Sequence, residues 1–193
     1  ITDRARALAS LGDAEAGAGR HDLAAEHIRL ALALHRQAGY LVGEAYALYS
    51  LGEVETMQGR YAPAADHLSQ SLTLFRRGGD RAGEAWVLNS LGAVYTRLDQ
   101  PDLAVAHHRQ ALSMLDQIGQ RDGVAVAFNG LGEAAHAAGR PGDAVTHFTA
   151  ALAVSIDIGA REQEARAHTG LGSAKHTLAD DALARDHYEQ ALA

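Results

Sequence analysis

Leu88-Asn89-Ser90-Leu91-Gly92-Ala93-Val94-Tyr95 places two leucines three apart, a glycine directly after the second, and an aromatic ring one helical turn later. The Leu-Gly pair returns at Leu11-Gly12, Leu51-Gly52, Leu131-Gly132 and Leu171-Gly172, always 40 residues apart. Other columns keep the same step. Alanine occupies 5, 45, 85, 125 and 165, and again 24, 64, 104, 144 and 184, while leucine occupies 32, 72, 112, 152 and 192. A chain that matches itself at one period is a tandem array, and the period is read before any local propensity. The units run approximately 1–40, 41–80, 81–120, 121–160 and 161–193, and together they predict a single repeat domain.

Each unit carries two helical patterns. In the second unit Ala45, Leu48, Leu51, Gly52 and Glu55 step by threes and fours and share one face, and Ala64, Leu68, Ser71, Leu72 and Phe75 repeat the pattern. Breaks fall between the two at Gly19-Arg20, Gly59-Arg60, Asp99-Gln100, Gly139-Arg140 and Ala179-Asp180. Pro101 and Pro141 follow directly, at a first helical position whose missing N–H would find no partner anyway. Gly39, Gly79, Gly119 and Gly159 stand where a left-handed cap would close the second helix. The reading is all-α: helix, tight turn, helix, tight turn, five times over, with no strand pattern.

Composition agrees. Apolar residues make up 47% of the 193, mostly alanine, and aromatics only 5%, so the helices must approach closely to fill their core. There is no cysteine, which removes disulfide and thiolate chemistry. The net charge of −7 and the lack of any Arg/Lys run argue against direct nucleic-acid binding. No apolar stretch approaches the ~20 residues of a membrane span, and no signal peptide is visible. Of the 17 basic residues only Lys175 is lysine, a skew that suggests a high-GC bacterial source and a cytoplasmic protein. The chain starts at Ile1 and stops at Ala193 within the pattern, so it reads as a piece of a longer protein whose ends would be open to end-to-end self-association.

The third unit, Leu88-x2-Leu91-Gly92-x2-Tyr95 followed by Ala104-x3-His108 and Ala111, resembles the tetratricopeptide signature, with Leu88 where that family often has tryptophan. The fourth gives Phe128-x2-Leu131-Gly132 and Ala144-x3-Phe148. The likeness covers the whole chain. It departs from the family in a 40-residue period instead of the usual 34, and in having no proline at the end of the second helix. Arrays of this longer period are similar to those of actinobacterial antibiotic-regulatory activators, related ATPase regulators and animal polarity scaffolds. The resemblance implies a right-handed superhelical solenoid of five stacked repeats, with first helices on the concave side. The family's fold is specified far better than its function.

It also implies where a partner would bind. The concave columns are Arg6, Tyr46, Trp86, Val126 and Arg166; Ala9, Tyr49, Asn89, Asn129 and Thr169; Asp13, Glu53, Ala93, Glu133 and Ser173; and Ala16, Thr56, Thr96, His136 and His176. The candidate partner-binding residues are Tyr46, Tyr49, Glu53, Trp86, Asn89, Asn129, Glu133 and His136. Tyrosines and tryptophan offer rigid anchors, the acids a counter-charge, and the amides both a donor and an acceptor for a peptide unit. The alternative is that Tyr46 and Trp86 merely pack between first helices. The Lys/Arg/Asn clamp with which some family members hold a C-terminal carboxylate is absent, since Glu53, Glu133, Ser50 and Ser90 stand in its place.

His27, His67, His107, His147 and His187 form a further column. Ligands 40 residues apart in such an array sit on the order of 10 Å from one another, too far to share a metal. They are expected to be partly buried packing residues, and the pair His136 and His176 fails the same distance test. No phosphate loop, zinc motif or nucleophile elbow occurs, so no catalytic residue, metal or cofactor is expected. Two functions follow. One is a protein-interaction scaffold that holds a peptide or helix, for instance a basic segment with an apolar anchor. The other is a regulatory or ligand-sensing domain that acts on another domain of the same bacterial transcriptional regulator.

Overall fold

The computed structural model describes residues 1–192. Ten α-helices follow one another among them: α1 (Thr2–Gly17), α2 (His21–Ala38), α3 (Leu41–Met57), α4 (Tyr61–Gly78), α5 (Arg81–Arg97), α6 (Pro101–Gln117), α7 (Arg121–Ala137), α8 (Pro141–Ile158), α9 (Arg161–Thr177) and α10 (Asp181–Ala191). No strand occurs among the described residues. The odd-numbered helix is the first of each repeat and the even-numbered helix the second.

The turns lie where the 40-residue register puts them. Gly39, Gly79 and Gly159 cap their helices at φ of 63°, 70° and 69°, and Gly119 follows α6 at 72°. The turn inside each repeat uses the same left-handed step at Gly19, Gly59 and Gly139, but at Asp99 and Ala179 a side chain is carried through it at φ of 57° and 60°. That conformation brings the next amide back onto the helix end: Arg20 donates to the Glu15 carbonyl at 2.9 Å and Arg60 to that of Glu55 at 2.8 Å. Pro101 and Pro141 open α6 and α8.

The chain divides into two compact units, Ile1–Val94 and Tyr95–Ala193. The division falls inside α5 rather than at a turn. In the first unit α1 packs on α2, α2 on α3, α3 on α4, and α1 also meets α3. Its core gathers Ala24, Ala25, Ile28, Leu32, Ala47, Leu48, Leu51 and Val54. In the second unit α7 lies against α6, α8 and α9, and α9 against α8 and α10. Ala135, Ala144, Phe148, Leu171 and Ala174 form a core there.

The repeated mid-helix glycine is a socket. A Cβ on Gly12 would lie 2.6 Å from Ile28 Cγ1, on Gly52 2.6 Å from Leu68 Cγ, on Gly132 2.6 Å from Phe148 Cε1, and on Gly172 2.7 Å from Tyr188 Cε1. Each is one large side chain from the second helix of the same repeat, seated where the first helix has none. The close approach compensates for the ~1 kcal/mol that a mid-helix glycine costs against alanine.

The histidine column is partly buried at all five positions. Its neighbours differ from repeat to repeat. His27 Nδ1 lies 2.6 Å from Glu15 Oε2, and His67 Nδ1 lies 2.7 Å from Glu55 Oε2. Glu55 is also met by Arg29 at 3.1 Å and Arg60 at 3.7 Å, so this fully buried carboxylate is surrounded by donors. His107 instead stacks on Tyr95, with ring centroids 5.2 Å apart, and His187 faces His168 at 3.1 Å.

Candidate partner-binding face on the first helices

Helical periodicity sends Leu48, Leu51 and Glu55 of α3 inward and leaves Tyr46, Tyr49 and Glu53 on a less buried flank of the helix. In the first unit this flank is hollow. One recess of about 360 Å³ is lined by Arg6, Ala9, Ser10 and Asp13 of α1, by Tyr46 and Ser50 of α3, and by His35, Tyr40 and Val42 around the turn that joins α2 to α3. A second of about 410 Å³ is lined by Asp13, Ala16, Tyr49, Glu53 and Met57. Asp13, Tyr46 and Ser50 line both, so the two form one trough along α1 and α3.

Apolar side chains and two acids, the exposed Asp13 and the part-buried Glu53, line the trough. Tyr40, Val42, Tyr46 and Met57, spread along it, are 41%, 49%, 48% and 57% exposed. Tyr46 is held from behind. Its ring meets Phe75 edge-on at 4.8 Å, and its hydroxyl donates to Asp80 Oδ2 at 3.1 Å. Both Tyr49 and Glu53 hydrogen-bond the Ser90 side chain from α5. Burial, reinforced by the Glu53 charge, pushes the Tyr49 phenol up to about 12. Burial also raises the Glu53 carboxyl above its ordinary range, with the Ser90 hydrogen bond opposing it. No arginine or lysine pairs with Glu53 among the described residues. At the other end His35 is 2% exposed, its Nδ1 has no hydrogen-bond partner among the described residues, and burial holds its imidazole below the ordinary value.

The second unit has a smaller recess between α7 and α9, about 290 Å³, lined by Glu133, His136, Phe148, Arg166, Thr169, Gly170 and Ser173. Here the charge is closed from within. Arg166 donates through Nε to Glu133 Oε1 at 2.7 Å and through Nη2 to Oε2 at 2.9 Å. Burial alone would lower the Arg166 guanidinium, but the hydrogen bonds and charge of Glu133 outweigh it and hold the proton more firmly. His136 Nε2 lies 3.0 Å from Thr177 Oγ1.

The eight residues singled out by sequence therefore separate. Tyr46, Tyr49 and Glu53 line the trough of the first unit. Trp86 is partly buried and Asn89 buried on α5 of the same unit. Glu133 and His136 line the recess of the second unit. Asn129 lies in that unit too, but it is fully buried. Its Nδ2 donates to the Gln163 carbonyl at 3.1 Å and to Gln163 Oε1 at 3.2 Å, so its donors are turned onto α9 rather than outward to a peptide. Glu133 likewise has its counter-charge in Arg166. Sequence reasoning missed Tyr40, Val42 and His35. The signal was available: the equivalent positions after Tyr40 hold Asp80, Gln120 and Ala160, and those after Val42 hold Ala82, Asp122 and Glu162. Only the first of these turns is apolar.

The tetratricopeptide repeat profile matches residues 3–77, 67–117 and 123–193. The chain belongs to the tetratricopeptide repeat family. Solved structures agree on the fold. A Rap protein complexed with Competence and Sporulation Factor superimposes with a TM-score of 0.88 at 17% identity, over 96% of this chain and 52% of that one. BtubC (BKLC) from P. vanneervenii gives 0.80 at 18%, over 96% and 77%. A putative kinesin light chain of nearly identical TPR-like repeats from Podosopora anserina gives 0.79 at 16%, over 99% and 94%. This tetratricopeptide array thus spans about half the length of the Rap protein. No curated protein sequence matches it. No helix among the described residues is long and apolar enough to cross a membrane.

Proposed function

We propose that this tetratricopeptide array is a protein-interaction scaffold, and that the trough between α1 and α3 holds an extended or helical segment of a partner. The observation that carries the reading is the trough itself. Four exposed apolar side chains, Tyr40, Val42, Tyr46 and Met57, line its two joined recesses together with Asp13 and Glu53. Exposed aromatics braced by their neighbours are what interface anchors are made of, because little rotamer freedom is lost on binding. Tyr46 is braced in this way by Phe75 and Asp80. Trp86 extends the anchor set along α5. The partner class that fits is a segment with an apolar or aromatic residue beside a basic one. A partner of the same kind in another domain of a longer bacterial transcriptional regulator would use the same residues.

A displayed library of random peptides tests the reading. Selection against the protein should enrich sequences with an aromatic or large aliphatic residue. Those peptides should bind Tyr46→Ala at least 10-fold more weakly, the scale of a true anchor. Peptides that bind Tyr46→Ala and the parent equally would place the binding surface elsewhere.

A further inference from the structure

Three acid positions share one 33-residue register along the first helices. In it an acid of one first helix is matched with the residue 33 positions later on the next, and Glu133 and Arg166 face each other in contact. The same register pairs Asp13 with Tyr46 and Glu53 with Trp86. In the second unit the acid is answered by an arginine of the chain. In the first unit both acids are kept, and an aromatic ring stands at each arginine position.

The recesses differ accordingly. Between α7 and α9 one carboxylate and one guanidinium neutralise each other. The equivalent recess between α1 and α3 is lined by Asp13 in the place of Glu133, and by Glu53 where the other has Ser173. Arg6 lines the far end of the trough, where it pairs with Asp3 instead. Among the described residues, the lining of the acid end therefore holds two carboxylates and no arginine or lysine. Arg166 marks, within the same molecule, the place that a guanidinium takes on this face.

We propose, resting on the reading of the trough as the partner-binding site, that Asp13 and Glu53 form the subsite for an arginine or lysine side chain of the bound segment, with the Tyr46 ring replacing the chain's own arginine stem as its support. The ligand cation meets Asp13 at the exposed edge and Glu53, which is partly screened from water and where an ion pair gains more than at an open surface. Its aliphatic stem lies along Tyr46, a contact that combines burial with cation–π attraction. The burial that raises the Glu53 carboxyl fits this role, since an uncompensated acid in such a place is stabilised by an incoming cation. The net charge of −7 adds a salt-sensitive attraction for a basic partner.

The probes are library-selected peptides synthesised as arginine and citrulline twins, which share shape and differ in charge. The arginine form should bind the parent at least 10-fold more tightly than its twin. Tyr46→Arg, which rebuilds the Glu133–Arg166 arrangement at Asp13, should bring the ratio close to 1. Asp13→Asn, at an exposed position and so harmless to folding, should reduce it several-fold. Equal binding of the twins to the parent, with Tyr46→Ala still weakening both, would overturn the cation subsite and leave the trough reading standing. Indifference of every selected peptide to Tyr46→Ala would overturn both.

Discussion

Arg166 of α9 grips Glu133 of α7 through two parallel hydrogen bonds, 2.7 and 2.9 Å long, and thereby closes the charge of the second unit's recess from inside the chain. Both side chains remain about one-third exposed, at 34% and 37%, so solvent screens the pair. Arg166→Met should therefore lower stability by no more than ~1 kcal/mol in denaturant unfolding. It should at the same time free Glu133 and create a second, weaker site for arginine-bearing peptides in the second unit. Titration calorimetry that finds no new site in a stably folded Arg166→Met protein would count against the equivalence of the two recesses.

Glu53 gives a pH-dependent expectation. Burial raises its carboxyl above the ordinary 4.5, so the folded state holds its proton more tightly than the unfolded chain does. Between the unfolded value and the raised folded one, the unfolded state binds fewer protons, and stability falls as pH rises. Glu53→Gln removes that loss. The variant should unfold at a higher temperature than the parent at neutral pH, and the gap should close below about pH 4, where both forms are neutral. A variant less stable than the parent at neutral pH would show that the carboxylate is stabilised in place, not retained at a cost.

The glycine sockets predict a size limit. Gly52→Leu and Gly132→Leu drive a side chain into Leu68 and Phe148, and each should destabilise by roughly 1–3 kcal/mol or more. Gly142, on α8 with nothing within 4 Å of an added Cβ, is the control, and Gly142→Ala should be neutral or slightly stabilising. Unfolding curves in urea separate the two classes. Equal midpoints would mean that the glycine column is no contact site.

The left-handed turn predicts an improvement. Ala179 sits at φ 60° where three other repeats have glycine, with no side-chain hydrogen bond to favour it. Ala179→Gly should raise stability by up to ~1 kcal/mol, because the left-handed penalty of a Cβ slightly exceeds the entropy that glycine adds to the unfolded chain. Asp99→Gly, at φ 57°, should gain less, since aspartate tolerates this region better. Thermal unfolding of the two variants gives the order directly.

Much of the fold was legible in the sequence because it repeats. The Leu-Gly column located the first helices, and the break and cap residues located the turns, since both follow from local chemistry at a fixed period. The inward face was legible too: Leu48, Leu51 and Glu55 are all buried. The candidate site was legible only as a set of columns. Whether a column residue reaches solvent depends on what the next first helix carries, and that is a contact between residues 33 or 34 apart, not 40. Asn129 looked like an outward amide until Gln163 covered it. Glu133 looked like a free acid until Arg166 met it. Both partners were in view as letters, but the period alone gave no reason to pair them. The trough end at Tyr40 and Val42 lay in a turn, where the repeat pattern is weakest.

If the α1–α3 trough is the binding face, a bound peptide leaves its footprint there on the backbone. Amide chemical-shift changes on adding a selected arginine-bearing peptide to the labelled protein should cluster at Arg6, Ser10, Asp13, Val42, Tyr46, Ser50 and Glu53. Changes confined to the second helices, around the column His27, His67, His107, His147 and His187, would contradict the account.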